Sequence, residues 1–361
     1  MLTLTEERYR RGLVAMGAAA PRAAFRRKLD EHRPIVFGAI GGSITAGAGA
    51  AARRECFVER LGAALSGRTE CRVVNAGIGA SNSLFGAFRA GRDLLCHHPD
   101  LVTVEYAVND LNNPEVEASY EALLRQCLSC ESHPLVVLIF TMRPPGRCQQ
   151  AVQERLGRHY GLPMFSVRDM LTPELESGSI QWDDYSADDV HPRPAGHALI
   201  AAALTRMLCD EAVGPEPEHA LPPRMFARSA PFEGGRVIEA AAFDVAANAG
   251  WRLENGCWAA EQPGARLVIR FRGPFAALGC MLYTGGFGRI AAAVDDRHAQ
   301  ILDGYYPNPI VHIWRGGHTV PYILGDDLDG TIEHRLKIRL LADHHAESNG
   351  TCFKMHYLLV R

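Results

Sequence analysis

No window of about 20 consecutive apolar residues occurs in this 361-residue chain, which argues against a transmembrane helix. The first residues, Met1 to Arg11, are charged throughout and lack the basic-then-apolar plan of a secretory leader, so the expected location is cytoplasmic. Charge of one sign is also missing. A formal net charge of −3 argues against nucleic acid as the main partner, and no membrane partner is expected. Internal repeats and low-complexity tracts are absent. The ten cysteines follow no repeating frame; Cys127 and Cys130 have a metal-like spacing, but no second pair completes a four-ligand set. No metal and no cofactor are expected. An apolar fraction of 47% suffices for packed cores, and the length suggests two of them.

Apolar runs that end in polar or glycine-rich turns dominate the first half. Ile35 to Ile40 runs into Gly41-Gly42-Ser43, Val73-Val74 into Asn75 to Ser81, and Val102 to Val104 into Tyr106 to Asp110. Leu135 to Phe140 and Pro163 to Val167 add two further strands. Helical stretches lie between them, including 56–65, 115–131 and 149–160. Residues 5–30 read as one outer helix, and Ala195 to Leu208, opened by Pro194, as a closing helix. Alternating strands and helices predict an α/β domain with a parallel sheet, its polar turns sharing the carboxyl edge where such sheets keep their chemistry.

Serine is a weak nucleophile unless an imidazole takes its proton and a carboxylate orients that imidazole. Ser43 stands at a strand end, and Asp188-Asp189-Val190-His191-Pro192 places a carboxylate three residues before a histidine. Ser43, His191 and Asp188 are therefore the candidate nucleophile, base and orienter. His197 and Asp189 are the rival base and rival carboxylate. Asn109 offers a side-chain amide and the glycine-rich turn at 75–81 offers backbone N–H groups, both suited to an oxyanion.

The order of serine, glycine-rich turn, asparagine and Asp-x-x-His resembles the SGNH (GDSL) hydrolase superfamily over roughly residues 34–209. The resemblance implies a three-layer, flavodoxin-like hydrolase domain and a serine esterase. It also implies backbone donation from Ser43 and from one residue of the 75–81 turn. Counting five residues from Asn75 reaches Ala80 rather than Gly79. The assignment between the two stays open and leans to Ala80, on the condition that its φ is negative, with Gly79 as the bend. Gly42 replaces the aspartate that commonly precedes the family serine, and Ala107 replaces a glycine. Trp182 and Arg143 are candidate substrate contacts; packing against the loop and surface ion pairing are their alternatives.

Gly214 to Pro223 is dense in proline and marks a linker between a domain over 1–213 and one over 224–361. Beyond it Leu267, Ile269 and Phe271, and again Leu336, Ile338 and Leu340, alternate with polar residues. The pattern predicts an all-β sandwich or jelly roll. Trp251, Trp258, Trp314, Tyr305, Tyr306 and Tyr322 could offer flat faces to sugar rings or fill its core. Asp326 to Gly330 reads as a turn or a calcium loop, and His312, His318, His334, His344, His345 and His356 as scattered histidines. The expected substrate is a small-molecule or oligosaccharide ester, in the first instance an O-acetyl group. A lysophospholipase or thioesterase is the alternative, and an inactive glycan-binding module is a third reading.

Overall fold

The computed structural model describes residues 2–209, 220–295, 297–307 and 318–361, the last range without the His318 side chain. It divides into two units, Met1–Ala230 and Pro231–Arg361.

The first unit is an α/β domain. In chain order it contains α1 (Glu6–Gly12), β1 (Leu13–Ala15), α2 (Ala19–Asp30), β2 (Ile35–Gly41), α3 (Ser43–Ala46), α4 (Phe57–Ser66) and β3 (Cys71–Gly77). Then come α5 (Ser83–Asp93), β4 (Leu101–Glu105), α6 (Pro114–Ser129), β5 (Leu135–Phe140), α7 (Gln150–His159) and β6 (Met164–Ser166). The last elements are α8 (Val167–Glu176), α9 (Trp182–Tyr185) and α10 (Pro194–Cys209). The sheet order is β1-β6-β5-β4-β2-β3, with every pair parallel except the edge strand β1. Counted in chain order, the parallel strands run 2-1-3-4-5, the flavodoxin-like arrangement. Its switch point falls between β2 and β4, where the chain leaves one strand for each side of the sheet.

Both faces are covered. Phe37, Ala39, Leu101, Val137 and Ile139 share one buried cluster with Phe25 and Leu29 of α2, Leu61 of α4 and Leu199, Ala203 and Leu204 of α10. On the other face a methyl added at Gly157 of α7 would meet Leu138 and Met164, so α7 lies close on the sheet. One expectation fails here. The single helix over 5–30 is two helices interrupted by β1, whose Leu13 and Ala15 pair with Phe165 and Met164. Leu13-Val14 suits a strand, and Gly17 takes a left-handed φ of 71° in the turn between β1 and α2.

Residues 214–219 of the expected linker lie outside the described residues. The segment after it returns to the first unit. Arg125 donates to Pro222 O at 2.8 Å, and the buried Glu121 carboxylate accepts the N–H groups of Met225 and Phe226 at 2.5 and 2.8 Å.

The second unit is all antiparallel. Its strands are β7 (Arg236–Glu239), β8 (Asp244–Ala249), β9 (Arg252–Glu254), β10 (Cys257–Ala260), β11 (Arg266–Arg272) and β12 (Ala276–Leu282). They continue with β13 (Arg289–Val294), β14 (Gln300–Asp303), β15 (His318–Gly325), β16 (Glu333–Leu340) and β17 (Phe353–Val360). One sheet runs β15-β12-β17-β10-β9, with β7 on β17; the other runs β14-β13-β16-β11-β8. Leu267, Ile269, Phe271, Leu336, Ile338 and Leu340 face Leu278, Phe353, Met355 and Leu358 in one core, as the period-two pattern predicts.

Trp251 is buried in this core, and Trp258 packs against it with its indole N–H on Ala240 O at 2.9 Å. Trp251 fills the sandwich core and Trp258 lines its margin; Trp314 and His312 lie outside the described residues. Tyr322 is half-buried, Tyr305 stacks on His345, and Tyr306 is exposed. Asp329 caps a turn by accepting from Thr331, and Asp327 pairs with Arg297, so 326–330 is a turn built on its own chain. His334 is buried between Asp295 and Asp329 O.

Gly77 shows how tightly β3 meets the short helix α3. A methyl there would stand 2.3 Å from Ala46 N and 2.6 Å from Thr45 C, both backbone atoms. Gly77→Ala is expected to destabilise the protein by about 1–3 kcal/mol, the usual cost of overpacking, read as a lower Tm.

Candidate active site

Three adjacent strands, β3, β2 and β4, end at the same edge of the sheet, and each delivers one candidate segment. After Gly41, Gly42 leaves the strand with φ −84° and ψ −150°, and Ser43 opens α3. The Ser43 side chain is nearly buried, at 4% exposure of the residue. Gly42 N bonds Glu105 O at 3.2 Å and Ile78 N bonds Gly41 O at 3.1 Å, which holds the three strand ends in register.

His191 arrives from the far end of the domain. Its Nε2 lies 2.9 Å from Ser43 Oγ, and its Nδ1 lies 2.7 Å from Asp188 Oδ2. The other carboxylate oxygen accepts the N–H groups of Val190 and His191 at 2.8 and 2.7 Å. Burial pushes the Asp188 carboxyl up, but the hydrogen bonds from His191 and the two backbone N–H groups outweigh it, and its pKa falls below the usual range. Ser186, which the sequence reading missed, pins this loop through its hydroxyl, 2.7 Å from His191 O and 2.9 Å from Asp188 O. Gly49 is the other missed element: a methyl there would stand 2.1 Å from Pro192 O. Hydroxyl, imidazole and carboxylate in one line can move a proton off the hydroxyl.

The rivals are placed elsewhere. Both ring nitrogens of His197 are engaged: Nδ1 accepts from Phe57 N at 3.2 Å and Nε2 lies 3.0 Å from Ala48 O. Burial lowers its pKa to about 4, so it stays a neutral packing group. Asp189 is exposed, and the carboxylate that meets the His191 ring is that of Asp188. Trp182 donates its indole N–H to Asp188 O at 2.6 Å and meets Tyr185 edge-on, which makes it an anchor of the acid loop. Arg143 donates to Val108 O at 3.3 Å, one residue before Asn109.

The turn after β3 corrects one expectation. Ala80 has φ +56°, so the condition on which it was favoured as a donor does not hold, and Gly79 is not the left-handed residue. Ser81 N and Ser81 Oγ reach back to Ile78 O at 3.4 and 2.7 Å. Residues 78–81 thus form a turn with positive φ at its third position, where glycine is ordinarily favoured. The bend sits at Ala80 because the chain must reverse into the Asn82 cap of α5. The N–H groups of Gly79 and Ala80 bond no acceptor among the described residues.

Asn109 packs against the nucleophile's own turn. A methyl on Gly42 would stand 2.1 Å from Asn109 Oδ1, which explains why glycine rather than aspartate precedes Ser43. Beneath these turns lie two buried acids that the sequence reading also missed. Glu105 accepts from Thr45 Oγ1 at 3.1 Å and Thr141 Oγ1 at 2.6 Å; Asp110 accepts from Ser83 N at 2.8 Å and Gln153 Nε2 at 3.0 Å. Burial raises both pKa values to about 7. A glutamate inside the apolar run 102–106 was the available signal, since an acid at a buried strand position needs a local reason.

Residues 39–199 match the model of the GDSL-like lipase/acylhydrolase family. The chain is accordingly a carboxylic ester hydrolase. The fold extends over both units. A crystal structure of a two-domain esterase active on acetylated mannans matches with a TM-score of 0.84 and 22% identity, covering 98% of each chain. The same esterase co-crystallised with mannopentaose matches with a TM-score of 0.83 and 22% identity, over 98% of this chain and 97% of that one. None of the curated protein sequences matches the chain. Among the described residues no helix is long and apolar enough to cross a membrane.

The buried acids should give this domain a pH-dependent stability. Glu105 binds its proton more tightly in the folded state than in the unfolded one, where it titrates near 4.5. Between that value and about 7 the folded state holds more protons, so stability falls as pH rises through this window. Glu105→Gln keeps an acceptor and a donor for the two threonines and removes the titration. Its Tm relative to wild type is expected to climb as pH is raised from 5 to 8. A pH-independent difference would show that Glu105 does not titrate there.

Proposed function

We propose that the chain is a serine esterase that removes small acyl groups, O-acetyl in the first instance, from a carbohydrate. The observation that carries the reading is the continuous line from Asp188 through His191 to Ser43, with steps of 2.7 and 2.9 Å. In this mechanism Ser43 Oγ attacks the ester carbonyl carbon while its proton passes to His191 Nε2. Asp188 keeps Nδ1 protonated and faces the imidazolium as it forms. The carbonyl oxygen becomes an oxyanion received by Ser43 N–H, one N–H of the Gly79–Ala80 peptide pair and the Asn109 side-chain amide. The C–O bond to the sugar then breaks, and His191 returns its proton to the departing hydroxyl. Water repeats the sequence on the acyl-enzyme, giving acetate and free Ser43. No step requires a cofactor or a metal.

The carbohydrate part rests on the likeness in fold to an esterase active on acetylated mannans, which includes the second unit. A longer acyl chain has one observation in its favour. Ile78 and Leu111, exposed by 37% and 65%, flank the two oxyanion turns and offer apolar surface beside them. Hydrolysis of p-nitrophenyl acetate, butyrate and octanoate under one set of conditions separates the readings. Preference for acetate is expected; preference for octanoate would move the assignment to a lipid or thioester substrate, and no hydrolysis would leave a binding module.

Ser43→Ala and His191→Ala should each lower kcat by several orders of magnitude, and the double variant should be little worse, because the groups act as a unit. A His191→Ala enzyme within about tenfold of wild type would overturn the base assignment, since a general base contributes about 10²-fold or more.

Asn109→Ala should lose about 10²–10³ in kcat with a small change in KM, as for other oxyanion donors. Gly42→Ala, which pushes on the Asn109 amide, should lower the same parameter. Added to Asn109→Ala it should cost little more, because both act on one contact. Full additivity of the two losses would separate Gly42 from Asn109.

A further inference from the structure

Arg89 is fully buried on α5, at 0% exposure, and is not part of the line from Ser43 to Asp188. Its guanidinium reaches all three strand ends that carry the site. Nη1 donates to Ala76 O on β3 at 2.6 Å, and Nη2 donates to Gly41 O on β2 at 3.3 Å and to the Tyr106 hydroxyl, just after β4, at 2.9 Å. These contacts lie two residues before Ser43, three before Gly79 and three before Asn109.

A core arginine is costly. The nearest carboxylate, Asp93 Oδ2, is 3.4 Å away, at the margin of a hydrogen bond, and Nε is buried with no acceptor. Apolar residues of similar volume usually stabilise a core at least as well as a charge with a weak counter-ion. What they lack is a planar fork of donors able to bond separate carbonyls at fixed angles. The carbonyls at issue stand where parallel strands diverge; Gly41 O, which already accepts from Ile78 N, takes the guanidinium on its second lone pair, and Ala76 O takes the shorter bond. We propose that Arg89 is a positioning residue that sets the nucleophile turn, the 78–81 turn and the Asn109 turn in one mutual register. The proposal rests on the serine-esterase reading above, because register among these turns matters only if their donors meet one oxyanion.

The test compares Arg89→Met, Arg89→Lys and Tyr106→Phe in the full chain on p-nitrophenyl acetate, with Tm and labelling by a fluorophosphonate as controls. Labelling that maps to Ser43 and vanishes in Ser43→Ala upholds the esterase reading independently; labelling elsewhere, or none, refutes that reading rather than the clamp. With Ser43 labelled, Arg89→Met is expected to lose about 10²-fold in kcat with KM nearly unchanged, the scale of an ångström misplacement. Arg89→Lys, which restores a charge and part of the donor set, should recover some of that loss. Tyr106→Phe removes one contact and should show a smaller loss in the same parameter. If Arg89→Met does not fold, the lysine and phenylalanine variants decide alone. Folded variants that lose Tm but keep wild-type kcat, or that raise KM at constant kcat, would overturn the proposal and leave Arg89 a packing residue.

Discussion

Parallel strands that end together, with polar groups that water cannot reach, are the constraint on which the candidate site depends. β2, β3 and β4 stop at one edge of the sheet, at its topological switch point, and there the ladder hydrogen bonds run out. Each freed carbonyl or N–H must find a partner inside the protein. Ile78 N takes Gly41 O, Gly42 N takes Glu105 O, and Asn75 Nδ2 takes Thr45 O at 2.8 Å. The turns that carry Ser43 and Asn109 are therefore shaped first by the satisfaction of backbone groups. Their chemistry is built on that frame.

Side chains complete the same accounting from below. Glu105 and Asp110 sit in the apolar interior with four donors between them, and burial raises both pKa values to about 7. Such groups are poor stabilisers, since desolvation opposes their charged forms. They lie within two side chains of Ser43 and Asn109, through Thr45 in one case and chain adjacency in the other. Interiors are close-packed, so a shift at either acid would be transmitted to the turns above. Gly42 and Gly77 show the same tightness in steric form, because neither position has room for a methyl.

The second unit follows a simpler rule. Two antiparallel sheets bury alternate residues against each other, and the arginines and lysine of β11 and β16 fall on the outward positions. Trp251 and Trp258 are accounted for by the core or its margin, whereas Tyr305, Tyr306 and Tyr322 keep some surface. Aromatic content alone could not make that distinction, since a tryptophan fills a sandwich as readily as it meets a sugar.

The sequence by itself determined the α/β class, the four segments that carry Ser43, the 75–81 turn, Asn109 and the Asp188–His191 pair, and the sandwich after them. Apolar runs, turn residues and period-two alternation are local signals, written into neighbouring positions. Tertiary structure decided what depends on distant positions or on backbone torsion. It split the 5–30 helix, because Leu13 and Ala15 of β1 find partners far along the chain, in Phe165 and Met164 of β6. It put the left-handed residue at Ala80 rather than Gly79, through the hydrogen bonds that close the turn on Ile78. It distinguished His191 from His197 by giving one a serine and a carboxylate and the other two backbone partners. Arg89 was illegible for the same reason. Nothing in its helix announces that one guanidinium will meet three strand ends, because the carbonyls it bonds are brought together only by the fold.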